Sequence, residues 1–80
     1  MTTVMSREEL AKKFGYNWVG SFSEGLAAAR KDGKDFHIRP DGTPAYEQRY
    51  DWVGSFSEGQ ARACENGKEI RIRPDGTRVE

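Results

Sequence analysis

Cysteine is almost missing. Cys64 stands alone, so an intrachain disulfide framework is excluded and a reducing compartment suits the chain, with the cytoplasm as default. Histidine is equally scarce. A metal site needs several converging ligands, and His37, the only histidine, has just Asp35 two residues away on its own face. A Cys/His nucleophilic pair would need Cys64 beside His37 and an orienting group, yet the two fall in different halves of the chain. The glycines fall singly at turns rather than in a phosphate-cradling loop. Asp41-Gly42 and Asp75-Gly76 lack the further acids of a calcium loop. No apolar run reaches the length of a membrane span or a signal sequence. Neither charge dominates: Lys+Arg and Asp+Glu are 13 each, which gives no global field toward nucleic acid or an anionic membrane. No cofactor, metal or enzymatic activity is expected from these residues.

Core-forming residues are also few. Only 35% of the 80 residues are apolar, while ordering a chain costs on the order of 1.5 kcal/mol per residue. Two stacked units are fewer than the roughly three that a repeat array usually needs. Self-association is therefore expected.

What the chain has is duplication. Tyr16-Asn17-Trp18-Val19-Gly20-Ser21-Phe22-Ser23-Glu24-Gly25 returns as Tyr50-Asp51-Trp52-Val53-Gly54-Ser55-Phe56-Ser57-Glu58-Gly59. At an offset of 34, residues 16–46 match residues 50–80 at 19 of 31 positions. The division is an N-terminal segment (1–15), repeat 1 (16–46), a connector (47–49) and repeat 2 (50–80).

In the first segment, residues 1–5 are expected to fray. Ser6-Arg7-Glu8-Glu9 then forms a capping box, with Met5 and Leu10 placed as a staple across it. Leu10 and Phe14 share a face and Gly15 suits a left-handed stop. This predicts one short helix over 7–14, capping the first repeat. Each repeat reads as an antiparallel β-meander. Asp32-Gly33 and Asn66-Gly67 suit two-residue type I′ hairpins. That register places Ala29 opposite Phe36, Ala27 opposite Ile38, Ala63 opposite Ile70 and Ala61 opposite Ile72. Small residues thus face large ones on one inward side, and the repeats are expected to stack through it. Phe22 and Phe56 join this predicted core, sharing parity with Trp18 and Trp52 in a further strand or extended connector, where Gly20 and Gly54 suggest a bulge or close backbone approach. The opposite face carries what the copies do not share and is read as solvated. A third strand is expected after Pro-Asp-Gly-Thr (Thr43–Tyr46, Thr77–Val79), with Pro44 at an edge because it lacks an amide. The fold class is mostly β: two tandem antiparallel meanders of about 34 residues and a short helix.

The pattern Phe-Ser-Glu-Gly-(Leu/Gln)-Ala, a strand, Gly-Lys, another strand and Asp-Gly-Thr resembles the bacterial WG (KWG) β-repeats. Phe22-Ser23-Glu24-Gly25-Leu26-Ala27 carries most of the resemblance. The Trp-Gly pair of that family would follow the Gly-Lys, where this chain has Asp35-Phe36 and Glu69-Ile70, so it resembles a divergent subgroup. The resemblance implies an all-β tandem-repeat architecture and brings no catalytic residues.

Three candidate surfaces remain. Trp18 and Trp52 read either as core anchors of their repeats or as platforms that stack a ligand. Arg62, Arg71 and Arg73 form a cationic cluster, with Arg62 directly opposite Arg71, read either as a solvated face or as a grip for an acidic group. Interleaved aromatics are absent there, which speaks against nucleic acid. Leu26 is more apolar than a solvated face requires and is a candidate contact for a neighbouring repeat or subunit. Glu24 and Glu58 sit in near-identical surroundings, which suits bonding of turn amides better than acid/base chemistry. The leading expectation is a non-enzymatic module for assembly or protein–protein interaction, homo-oligomeric through the repeat ends. Its alternative is a small-ligand, glycan or anion binder using the two tryptophans and the arginines.

Overall fold

A computed structural model describes residues 5–79. The fraying expected at residues 1–5 falls, Met5 apart, outside them. Helix α1 spans Arg7–Phe14. The Ser6 hydroxyl accepts from the Glu9 amide at 3.1 Å and the Glu9 carboxylate accepts from the Ser6 amide at 3.0 Å, which satisfies two otherwise orphaned donors. Gly15, at φ 75, ends the helix. Leu10 is fully buried.

Two three-stranded antiparallel sheets follow, in the orders β1-β2-β3 and β4-β5-β6. Repeat 1 supplies β1 (Trp18–Ser23), β2 (Leu26–Lys31) and β3 (Lys34–Ile38). Repeat 2 supplies β4 (Trp52–Val53), β5 (Ala61–Glu65) and β6 (Lys68–Ile72). The hairpin registers place Ala29 against Phe36, Ala27 against Ile38, Ala63 against Ile70 and Ala61 against Ile72. Asp32 and Asn66 take φ 54 and 52 ahead of Gly33 and Gly67, both at φ 78. Two successive positive φ values make a turn whose twist matches that of the flanking strands.

The third strand of each sheet is the Trp-Val-Gly segment, not the one after Asp-Gly-Thr. Thr43–Tyr46 and Thr77–Val79 contribute only the bridges Ile38–Pro44 and Ile72–Arg78. The reason is local. The Asp41 carboxylate accepts from the Thr43 amide (2.9 Å) and hydroxyl (2.6 Å), and Arg39 donates to the Pro44 carbonyl at 2.9 Å. Asp75, Thr77 and Arg73 repeat the arrangement. Beyond one backbone bond to the preceding strand, Ala45 to His37 and Val79 to Arg71, these segments satisfy themselves, and Pro44 has no amide for a longer ladder.

A β-bulge breaks the expected parity of Trp18 and Phe22. Val19 pairs with Ala29 but Phe22 with Ala27, so β1 holds one extra residue. Trp18 therefore lies on the Arg30 side and Phe22 on the Ala27 side. Phe22 is no core residue: it is 38% exposed, against 1% for Phe56. Phe56 is covered by His37 of the preceding repeat, ring centroids 4.4 Å apart, and no preceding repeat covers Phe22 among the described residues.

Ala27, Ala29, Phe36 and Ile38 are buried, with Tyr16 edge-on to Phe36 at 5.4 Å and the Arg49 guanidinium 4.0 Å over its ring. The opposite face of this sheet, expected to be solvated, is buried as well at Ala28, Asp35 and His37. Repeat 2 covers it. The copies thus join front to back, the Val53/Phe56 side of repeat 2 against the His37 side of repeat 1, and not through two alanine faces. In repeat 2 Ala61, Ala63 and Ile72 are buried, but Ile70 is only half-buried. It lines an open cleft beside Arg78 and Val79 instead of lying under a Tyr–Arg clamp. Its far face, with Arg62, Glu69 and Arg71, is exposed.

Candidate functional site

The joint between the repeats is built largely from side chains reaching backbone. The loop joining β1 to β2 is itself a two-residue hairpin, Glu24 at φ 52 and Gly25 at φ 80, and Glu58 and Gly59 repeat it at 52 and 79. Glutamate is an unusual occupant. Positive φ favours Gly, Asn and Asp, and costs other residues about 1 kcal/mol. The length of the side chain explains its presence: the Glu24 carboxylate reaches the turn of repeat 2 and accepts from the amides of Glu58 (2.6 Å) and Gly59 (2.9 Å). Beside it the Ser23 hydroxyl donates to the Phe56 carbonyl at 2.7 Å. The sequence pointed to amide bonding by these glutamates, but not to a bond that crosses from one repeat to the next.

At the other end of the joint, Asp35 and Tyr50 exchange backbone hydrogen bonds of 2.7 and 2.9 Å. The Lys34 ammonium meets the Asp51 carboxylate. The Asp35 carboxylate takes the Arg30 Nε–H at 2.6 Å and the Val53 amide at 3.2 Å. Centrally, His37 is fully buried. Its Nε2 lies 2.8 Å from the Gly54 carbonyl and its Nδ1 2.6 Å from the Tyr46 hydroxyl. A carbonyl can only accept, so Nε2 carries the proton and Nδ1 accepts from Tyr46. Burial holds the imidazole below its ordinary pKa, against the opposing pull of the Gly54 carbonyl and Asp35.

Repeat 2 offers the same parts on its far side. Ser57, Glu58, Lys68 and Glu69 stand where Ser23, Glu24, Lys34 and Asp35 stand in repeat 1. Among the described residues the Ser57 hydroxyl, Glu58 carboxylate and Lys68 ammonium meet no partner, in contrast to their counterparts. Arg62 and Arg71 replace Ala28 and His37 and face one another across β5 and β6. Arg62 approaches Glu69 at 3.8 Å, both exposed. Arg73 does not join them: its guanidinium turns to the Thr77 hydroxyl and the Arg78 carbonyl. The expected arginine trio is a pair. Leu26 is half-buried at the joint, in a shallow cleft with Glu24, Ala45 and Pro74.

The opposite end of the molecule is finished differently. The Tyr16 amide donates to the Ala11 carbonyl of α1 at 2.8 Å, where Tyr50 uses Asp35. Arg7 donates to the Ser21 hydroxyl at 3.2 Å. Helix α1 thus occupies part of a preceding repeat's place, while Phe22 stays partly exposed and no described side chain accepts from the Glu24-Gly25 turn amides.

The tryptophans are half exposed, Trp18 at 52% and Trp52 at 44%, and are not the buried anchors that one reading expected. Each indole lies along its own strand over a glycine. A Cβ on Gly20 would stand 2.8 Å from the Trp18 Cη2, and one on Gly54 3.3 Å from the Trp52 Cη2. Between the two rings runs a cleft of ≈ 290 Å³ floored by Arg30, Asp35 and Val53.

Among the described residues, no group of three His, Cys, Asp or Glu side chains could hold a metal, and no helix is long and apolar enough to cross a membrane. Comparison with known proteins finds no match among curated proteins or solved structures. The WG containing repeat family matches twice, over residues 8–34 and 38–68. Both matched segments end at the lysine of the β-hairpin, Lys34 and Lys68, which keeps the internal offset of 34. With two tandem matches over well more than half its length, the chain belongs to the WG containing repeat family.

Proposed function

We propose that the chain is a non-enzymatic repeat module that assembles through its repeat ends, with a second copy as partner. One observation carries this reading. Glu58 holds the same disfavoured φ of 52 as Glu24, yet among the described residues its carboxylate has none of the amide bonds that justify glutamate in that turn. The complementary donors, the amides of Glu24 and Gly25, lie at the opposite end. Seating Glu58 of one copy on the Glu24-Gly25 turn of another repeats a contact the chain already makes internally. The same docking brings Ser57 toward the Phe22 carbonyl and Arg71 over the exposed Phe22 ring, a cation–π pairing. Such head-to-tail contacts are heterologous and grow into rings or open arrays. The Asp35–Tyr50 type of backbone bridge takes no part, since α1 already satisfies Tyr16.

Light scattering and sedimentation test the proposal. The wild-type chain should gain mass with concentration, and Glu58→Ala should stay monomeric while keeping its circular dichroism spectrum. A wild-type chain that remains monomeric at millimolar concentration would refute it.

A further inference from the structure

We propose that the cleft between Trp18 and Trp52 is a second, separate binding site, and that its ligand is an extended proline-rich peptide. Trp18, Phe22 and Trp52 are the exposed large apolar side chains among the described residues, and two of the three border this one cleft. Exposed aromatic surface gathered in one place marks a contact site rather than chance. The glycines fix its shape. Gly20 and Gly54 leave room for each indole to lie flat along its strand, so the rings form two ridges with a floor between them.

The free side-chain polar atoms of the lining residues are all donors. Neither indole N–H has a partner among the described residues. Arg30 spends its Nε–H on Asp35, which leaves the outer guanidinium nitrogens, on a side chain 46% exposed, without one. The one acceptor on the floor, Asp35, is buried, with one carboxylate oxygen on Arg30 and the other on the Val53 amide. The ligand must therefore be rich in acceptors and poor in donors. A polyproline segment meets that description. Proline has no backbone N–H, its carbonyls point outward, and its rings are flat apolar bodies suited to stacking on indoles. A glycan fits less well because each hydroxyl donates as well as accepts. A methylated ammonium is repelled by Arg30. The dimensions agree as well. β1 and the β4 segment are three strand steps apart through β2, β3 and the Asp35–Tyr50 bridge, which sets an upper bound of roughly 14 Å. Four or five polyproline residues at about 3.1 Å each span that distance.

The cleft does not use Ser57, Glu58 or Arg71, so the two proposals stand or fall apart. The test is a titration of the ¹⁵N-labelled full chain with a synthetic peptide of about ten prolines and, in parallel, with a chitin hexasaccharide. The expected result is saturable movement of both indole N–H resonances with the peptide alone and no change in the light-scattering mass. Trp18→Ala and Arg30→Gln should each weaken binding roughly tenfold. Indole resonances that stay still with millimolar peptide, or that move with the saccharide instead, overturn the proposal. The wild-type titration decides this whether or not either variant folds.

Discussion

His37 makes the stability of the joint sensitive to pH in a window no other side chain shares. It is the only histidine of the chain, fully buried, neutral, and locked between the Tyr46 hydroxyl and the Gly54 carbonyl. Its pKa in the folded chain lies below the ordinary value of 6.5 because burial disfavours the charged ring. The unfolded chain therefore takes up the proton first. Stability is full above about pH 6.5 and is lost as pH falls toward the depressed folded value, with a slope approaching 1.4 kcal/mol per pH unit where the two states differ by a whole proton. Against a total of about 4–12 kcal/mol for a chain of this size, one such unit is a large fraction. Carboxylates contribute only further down: Asp41, Asp51 and Asp75 are held below their usual range by bonds to Thr43, Lys34 and Thr77, so what they stabilise persists to about pH 4 and is lost below it. Urea unfolding followed by tryptophan fluorescence between pH 7.5 and 5 isolates the histidine. His37→Gln, which can still donate to Gly54 and accept from Tyr46, should flatten the profile over that range. A wild-type profile already flat there, or a glutamine variant that keeps the slope, would refute the reasoning.

Two matched pairs extend the test to the duplication itself. Phe56→Ala empties a buried place against His37 and should destabilise by about 3–4 kcal/mol, whereas Phe22→Ala at the equivalent but exposed position should stay below about 1 kcal/mol; thermal and urea unfolding of the two variants compare them directly. Glu58→Asn relieves a strained φ with no bond lost within the chain and should raise the stability of the dilute monomer by roughly 0.5–1 kcal/mol. Glu24→Asn relieves the same strain but forfeits the bonds to the Glu58 and Gly59 amides, so its melting temperature should fall.

The local features of the fold were legible because they are written locally. Ser6 and Glu9 announce α1, and Asp32-Gly33 and Asn66-Gly67 set a hairpin register that the alanine–Phe36 and alanine–isoleucine pairs fill. The extra residue in β1 left a mark too: a glycine inside a strand pattern, Gly20, suggests a bulge or a close backbone approach, and the register slips between Val19 and Phe22. At the Ser-Glu-Gly turns the reach of the glutamate into the next repeat was hidden. Glutamate is a poor choice for positive φ, and only the neighbouring repeat explains it. Its presence in both copies was the available signal: a turn that tolerates a strained residue twice is keeping it for its side chain.

Which face of each sheet is covered was the least local question, and the differences between the copies answer it better than their identities do. An isolated meander would be expected to show its Ala28/His37 side to water. Repeat 2 removes that water, so only small groups, or polar and charged ones with their hydrogen bonds complete, can remain: an alanine, a histidine shared by Tyr46 and Gly54, and an aspartate shared by Arg30 and Val53. In repeat 2 the same positions hold Arg62, Arg71 and Glu69, which stay exposed. A stacked array needs such a polar face wherever it meets solvent. Yet the turn beside it keeps Ser57 and Glu58 unchanged. The centre of that face is adapted to solvent while its rim keeps the fittings of a joint, so any copy that docks there should hold by the turn and leave the arginines at least partly wet. Contacts of that kind are narrow and reversible.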